Sequence, residues 1–247
     1  MQWTGHVASM KTTETTLNIR RANERGHAEH GWLNSFHTFS FANYYDPAYM
    51  GFRALRVIND DRVAAGQGFG THPHRDMEIF SYVLEGSLQH KDSMGNGSVL
   101  KPGQIQLMSA GRGVTHSEFN PSRTEPLHFL QIWIQPDQRG LTPSYTEWHP
   151  NAEQRDALKT LVISPDGRNG SAKIHQDAEI YRVCLQKGET VTHEIRSGRG
   201  GWVQIAEGGL ALNGVDLTTG DGASTEQAGT LTLIAKAPTE ALLFDLG

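Results

Sequence analysis

Short apolar runs separated by glycine-rich turns make up the hydrophobic pattern of this chain. Within many runs, apolar and polar residues alternate with a period of two, which is typical of strands with one buried face. A helical period of 3.6 is nearly absent, and the best helix candidate is the short stretch 151–159. We predict strands at residues 37–41, 54–58, 77–84, 87–91, 104–108, 114–119 and 127–134, and again at 159–163, 180–185, 191–195, 201–206, 210–212, 231–234 and 241–245.

This succession of strands favours an all-β fold, an antiparallel sandwich or barrel, over alternating strand–helix units. Residues 136–150 contain three prolines and a glycine, which indicates a boundary between two β domains. Within the first domain, the polar triplet 59–61 has the composition of a turn. We therefore predict an N-terminal extension at residues 1–16, a first barrel at 17–145 and a second at 146–247.

Composition excludes several classes of protein. The net charge is −5 across 247 residues, so neither nucleic acid nor an anionic membrane surface is an expected partner. The single cysteine, Cys184, rules out an internal disulfide. Residues 1–16 lack the apolar segment of a signal peptide, and no run is long enough to span a membrane. We expect a cytoplasmic protein, whose start is either Met1 or Met10.

Two short motifs carry the candidate chemistry: His72-Pro73-His74 and His116-Ser117-Glu118. Positions i and i+2 of a strand face the same side, so two adjacent strands would direct three imidazoles and a carboxylate to one point. Such donors suit a divalent transition metal with open coordination positions. Spacing alone leaves the carboxylate undecided, because Glu78 also follows the first motif.

The surroundings of these motifs resemble the two motifs of the cupin superfamily. In the first, Gly66 precedes the histidine pair and Glu78 follows it; in the second, Gly113, His116 and Asn120 occur in order. Between residues 20 and 145 the stretches HTFSF, GFGTHPHRDMEI, YVLEG, DSMGN, MSAGRGVTHSE and LQIWI resemble the pirin family, particularly its bacterial members similar to quercetin 2,3-dioxygenases.

This resemblance implies a bicupin, with two jelly-roll-like antiparallel barrels face to face, few short helices and metal only in the first barrel. It implies that the ligands are His72, His74, His116 and Glu118, and that Glu78 is a nearby group that is either structural or in contact with the ligands. The metal it implies is most often Fe(II), while Mn, Cu, Ni, Co and Zn suit the same donors.

The resemblance also implies a dioxygenase that uses O2 to cleave flavonols such as quercetin, with release of carbon monoxide. We expect the protein to be a monomer. Glu118 would accept the proton of the substrate's 3-hydroxyl. Candidates to line an apolar pocket are Phe39, Phe41, Phe69 and Phe119. One alternative is a redox-sensing regulatory protein that binds metal and a protein partner without turnover, and another is an isomerase that needs no oxygen.

Overall fold

The computed structural model describes residues 16–247, which form 22 strands, one short α-helix and two 3₁₀ turns. The strands of the first half are β1 (Asn18–Arg20), β2 (Gly26–Glu29), β3 (Leu33–His37), β4 (Leu55–Val63), β5 (Gly68–His74), β6 (Glu78–Glu85), β7 (Leu88–Asp92), β8 (Gly97–Leu100), β9 (Ile105–Ser109), β10 (Val114–Phe119), β11 (Leu127–Ile134) and β12 (Ser144–Trp148). After the helix α1 (Ala152–Asp156) come β13 (Lys159–Ser164), β14 (Ala172–Lys173), β15 (Ala178–Leu185), β16 (Thr190–Ile195), β17 (Gly200–Glu207), β18 (Gly209–Leu212), β19 (Val215–Thr218), β20 (Gly222–Thr225), β21 (Gly229–Ala235) and β22 (Thr239–Leu246). The 3₁₀ turns are Ala22–Glu24 and Arg168–Gly170.

Each barrel combines a seven-stranded sheet with a four-stranded sheet. The first barrel has the orders β12-β9-β6-β11-β4-β3-β2 and β5-β10-β7-β8, and the second has β1-β20-β17-β22-β15-β13-β14 and β16-β21-β18-β19. Strands β4–β11 and β15–β22 occupy corresponding places in these orders, so the same eight-stranded topology occurs twice. All pairs between named strands are antiparallel except β13 with β14.

The two seven-stranded sheets pack against each other through a shared apolar core. Successive residues of β6 point to opposite sides of the sheet. Phe80 therefore joins the core between the barrels, while Val83, three residues later, lies inside the first barrel. The Phe80 and Phe244 rings, one from each barrel, have centroids 6.4 Å apart. A separate apolar core fills the second barrel. The predicted all-β bicupin fold is therefore confirmed.

Strand pairing crosses the predicted domain boundaries at two places. Strand β1 pairs with β20 of the second barrel, and β12, which spans the predicted division at residue 145, pairs with β9 of the first. The division at residue 145 stays a prediction. The predicted extension at 1–16 lies, apart from Thr16, outside the described residues. No helix within the described residues is long and apolar enough to cross a membrane.

The prediction of a turn at residues 59–61 is wrong. Strand β4 continues through Asn59, Asp60 and Asp61, and all three side chains are buried. Asp60 accepts hydrogen bonds from Arg25, Arg62 and His128, so its charge has partners inside the protein. Two of these partners, Arg25 and His128, come from distant parts of the chain, and they make a charged residue compatible with a buried strand.

The strand predicted at residues 37–41 is displaced. Strand β3 ends at His37, and the chain then turns so that Phe41 forms an isolated bridge with Tyr44. The residues that follow β3 thereby reach the mouth of the first barrel.

Substitution of Phe80 by alanine tests the shared core. We expect the free energy of unfolding to fall by about 3–5 kcal/mol in urea denaturation, because a fully buried ring is removed. The control Val99→Ala, at a side chain that is 43% exposed, should change it by less than about 0.5 kcal/mol. A loss below about 1 kcal/mol for Phe80→Ala would contradict the packing described here.

Candidate metal centre

Two adjacent strands of the first barrel place the predicted histidines. His72 and His74 lie on β5, and His116 lies on β10 directly opposite His72. The register then shifts by one residue, which places Glu118 opposite Phe69. At Gly68 the two backbones are so close that a Cβ would lie 2.3 Å from the Glu118 carbonyl oxygen, so glycine alone fits.

The three imidazoles converge. One nitrogen from each of His72, His74 and His116 lies within 4.8 Å of the other two. The Nε2 atoms of His72 and His116 are 3.1 Å apart. Two nitrogens that bind one ion at right angles, with bonds of about 2.1 Å, are separated by about 3 Å, so this spacing fits a shared metal.

The protonation of these rings also suits a metal. Nδ1 of His72 donates to the Gly70 carbonyl at 2.8 Å, which leaves Nε2 with a free lone pair. Burial, followed by the neighbouring imidazoles, lowers the pKa of His74 to about 4 and the pKa of His116 to about 3. Both rings are therefore neutral at neutral pH, which is the form that binds metal ions.

Glu118 is buried, with 1% of its surface exposed, and three side chains hold its carboxylate. Oε1 accepts from Ser81 Oγ at 2.8 Å and from Gln106 Nε2 at 2.5 Å, and Oε2 accepts from Gln131 Nε2 at 2.6 Å. These donors offset much of the cost of burying a charge. Oε2, with one donor, keeps the freer lone pairs.

The ligand atoms of the four predicted residues do not all lie within 4.8 Å of one another. The Glu118 carboxylate lies within 4.8 Å of ligand nitrogens of His116 and His90, and these three residues form a second group that shares His116 with the first. Within residues 16–247, no group contains all four predicted ligands at that separation. Glu118 nevertheless lines the same pocket as His72 and His74.

Glu78 lies on the face of β6 opposite to Ser81, which holds Glu118, and therefore points away from the histidines. It accepts a hydrogen bond from Ser109 Oγ at 2.6 Å and another from the backbone N–H of His175, in the second barrel, at 3.3 Å. Burial raises its pKa. The backbone breaks between β5 and β6 at Asp76, where φ is +49°. The even spacing from His74 therefore does not place Glu78 on the same side, and its carboxylate instead makes a hydrogen bond between the two barrels.

A pocket of about 350 Å³ opens beside the histidines. His72, His74 and Glu118 line one end, and the aromatic rings of Phe41, Phe69 and Trp133 line its sides. Tyr44 and the exposed His27 and His30 lie around the rest of its wall.

The other two phenylalanines predicted for the pocket lie elsewhere. Phe39 belongs to the core between the barrels, where it packs on Trp202, and Phe119 is partly exposed outside the pocket.

Sequence reasoning missed the polar residues that surround the carboxylate. Ser81, Gln106 and Gln131 each lie between two apolar or aromatic neighbours in a buried strand, a pattern that would have marked them as buried hydrogen-bonding groups. His90 was also missed, although it lies directly opposite Glu118 on β7. Its ring stacks on Tyr145, with centroids 4.6 Å apart.

Asp61 is a further buried acid in the pocket wall, and it accepts a hydrogen bond from Ser35 Oγ. Burial raises its pKa from 3.8 to about 7, against the opposing effect of this hydrogen bond. The folded protein therefore disfavours the charged form of Asp61. Its contribution to stability is greatest at acid pH and falls as the pH rises from about 4 to about 7.

Substitution of Asp61 by asparagine should remove this dependence. In urea unfolding of the metal-free protein, we expect the stability of Asp61→Asn relative to wild type to be roughly 2–3 kcal/mol more favourable at pH 8 than at pH 5. The exposed Asp216→Asn provides a control without such a trend. If the free energies of unfolding of Asp61→Asn and wild type differed by the same amount at pH 5 and at pH 8, Asp61 would not be held in a neutral state.

Comparison with known proteins connects this geometry to a family. Residues 18–134 match the family model described as Pirin, and residues 161–246 match the one described as the quercetinase C-terminal cupin domain. The chain is 55% identical to the quercetin 2,3-dioxygenase of Escherichia coli K12, over 92% of this chain and 97% of that protein. It is 39% identical to a pirin-like protein of Caulobacter vibrioides, over 89% of this chain and 95% of its relative.

Solved structures give the same result. The crystal structure of YhhW from Escherichia coli superimposes with a TM-score of 0.90 at 54% identity, covering 94% of this chain and 98% of the other. The nickel(II) complex of the bacterial pirin YhhW superimposes with a TM-score of 0.88, also at 54% identity, covering 94% of this chain and 99% of the other. From its two matched domains, its fold and its relatives, the chain belongs to the pirin family.

Proposed function

We propose that this chain is a metal-dependent dioxygenase that opens the heterocycle of flavonols such as quercetin, with O2 as the second substrate and carbon monoxide as a product. The observation that carries this proposal is the convergence of His72, His74 and His116 at one end of an aromatic pocket, beside a buried carboxylate. The quercetin 2,3-dioxygenase of Escherichia coli, at 55% identity, supports the same reaction class.

The proposed ligands are His72, His74, His116 and Glu118. Neutral imidazoles and a carboxylate bind several first-row metals. We favour Fe(II), and the nickel(II) complex of the related YhhW supports a divalent ion in this type of barrel. Held by these four residues, the ion would supply redox chemistry for the reaction of the substrate with dioxygen.

Glu118 is the proposed proton acceptor. Its Oε2 atom has one donor, Gln131, and can take the proton of the substrate's 3-hydroxyl. Ser81 and Gln106 hold Oε1 and fix the orientation of the carboxylate. Loss of this proton gives the electron-rich flavonolate, which is the form that reacts with dioxygen.

The pocket suits a flat aromatic molecule. Its volume of about 350 Å³ lies in the range of small-molecule sites, and rings form much of its wall. His74 packs edge-on against Trp133, with centroids 4.9 Å apart, so the aromatic wall and the metal-binding end adjoin. A monomeric state and a cytoplasmic location stay predictions from the sequence.

Two variants test this function. His74→Ala should lower the metal content of protein purified without added metal at least tenfold, because a ligand is removed. Glu118→Gln should lower kcat for quercetin by about 10²–10⁴-fold, because the proton acceptor is lost. Metal analysis, oxygen uptake and a carbon monoxide assay measure these effects.

The exposed His149→Ala is the matched control and should retain both metal and turnover. Wild-type protein that binds metal but consumes no oxygen with flavonols would contradict the enzymatic proposal and support the regulatory alternative. Conversion of the substrate without oxygen would instead support an isomerase.

A further inference from the structure

A row of polar side chains crosses the inner face of the first barrel's large sheet. Cross-strand pairing places His37 opposite Asn59, Asn59 opposite Gln131, Gln131 opposite Ser81, and Ser81 opposite Gln106. Ser81, Gln106 and Gln131 all donate to Glu118. The first two members, His37 and Asn59, do not take part in holding that carboxylate.

These two members carry polar atoms without partners. Asn59 is 3% exposed and His37 is 5% exposed, yet Asn59 Oδ1 and His37 Nδ1 have no hydrogen-bond partner within residues 16–247. Buried polar groups are nearly always hydrogen-bonded, so an unpaired pair at one place requires an explanation. Both residues line the pocket beside the metal-binding end.

The position of the pair defines where a ligand group would lie. Neighbouring strands are about 4.8 Å apart, so Asn59 and His37 lie about 5 Å and 10 Å along the sheet from Gln131, which holds Glu118. A planar substrate bound at Glu118 and the histidines would extend across this distance. Its far ring would come against Asn59 and His37.

The chemistry of the pair favours a neutral hydrogen-bond donor. Asn59 Oδ1 accepts only, and a neutral His37 Nδ1 can accept as well as donate. Asp61 is in the same part of the wall and would repel an anion when charged. A phenolic hydroxyl satisfies these groups, whereas a carboxylate or sulfate does not.

We infer that Asn59 and His37 form a recognition subsite for a phenolic hydroxyl on the part of the substrate remote from the metal. This inference rests on the proposed function and makes it narrower: polyhydroxylated flavonols are selected over flavonols that carry only the metal-binding 3-hydroxyl. Recognition arises because an unhydroxylated ring leaves the Asn59 oxygen unpaired in the complex.

Asn59→Leu tests the subsite with quercetin and with 3-hydroxyflavone, which keeps the 3-hydroxyl and lacks the others. We expect kcat/KM for quercetin to fall about 10–100-fold and kcat/KM for 3-hydroxyflavone to stay within about threefold. His37→Phe, which keeps the ring contact with Phe41, should give a smaller loss with the same selectivity. Asn18→Leu makes the same change at an exposed asparagine of β1 that does not line the pocket, and should leave the ratio of kcat/KM for the two flavonols unaltered.

Melting temperatures separate recognition from a structural role. Removal of an unpaired buried amide should leave the melting temperature of Asn59→Leu unchanged or higher. The inference would be overturned if kcat/KM fell equally for both flavonols. It would also be overturned if the ratio of kcat/KM for quercetin to that for 3-hydroxyflavone were unaltered in both Asn59→Leu and His37→Phe.

Anaerobic titration of the nickel(II)-loaded protein with both flavonols provides a readout that is independent of turnover. Tighter binding of quercetin than of 3-hydroxyflavone, lost in Asn59→Leu, would support the subsite even if the wild type proved inactive and the proposed reaction failed. Equal binding of the two flavonols by wild type, or no binding of either, would overturn the subsite.

Discussion

Burial of the Glu118 carboxylate is the constraint around which the interior of the first barrel is arranged. A charge inside an apolar barrel is stable only when hydrogen-bond donors surround it, and the donors here come from three neighbouring strands, β6, β9 and β11. Strand register and carboxylate position therefore determine each other. A slip of one residue would turn Phe80 toward the carboxylate in place of Ser81, so the charged group also specifies the pairing of the sheet.

The second barrel shows what the same topology becomes without that constraint. Strands β6 and β17 end at Glu85 and Glu207, and a glycine follows each of them. Ser81 and Val203 each lie four residues before that glutamate, so Val203 is the counterpart of Ser81. The residues opposite Val203 across the sheet are Ala223 and Leu243, where the first barrel has Gln106 and Gln131. All three belong to an apolar core. One barrel uses its central layer for polar chemistry, and the other uses the same layer for packing.

The sequence predicts much of this molecule, and its failures have identifiable causes. Strands such as β10 and β11 are predictable because alternation or a continuous apolar run is a local property. His72, His74 and His116 are predictable because i, i+2 spacing on a strand fixes the side on which residues lie. The buried strand at Asn59, Asp60 and Asp61 is not, because Asp60 and Asp61 are paired with Arg25, His128 and Ser35, which are far away in the sequence. Spacing leaves the direction of Glu78 undecided for a different reason: a single residue with positive φ, Asp76, interrupts the alternation between His74 and Glu78.

Strand β1 links the beginning of the described chain to its far end. Asn18 pairs with Ser224, although the intervening residues include the whole first barrel. Arg21, which follows β1, binds Asp221 and so adds an ion pair at the same edge. At typical rates of translation, about 10–40 s separate the synthesis of these two partners. During that time residues 18–20 have no strand partner in the emerging chain. The edge of the second barrel's seven-stranded sheet, where β1 pairs with β20, therefore forms only after nearly all of the protein has been synthesised.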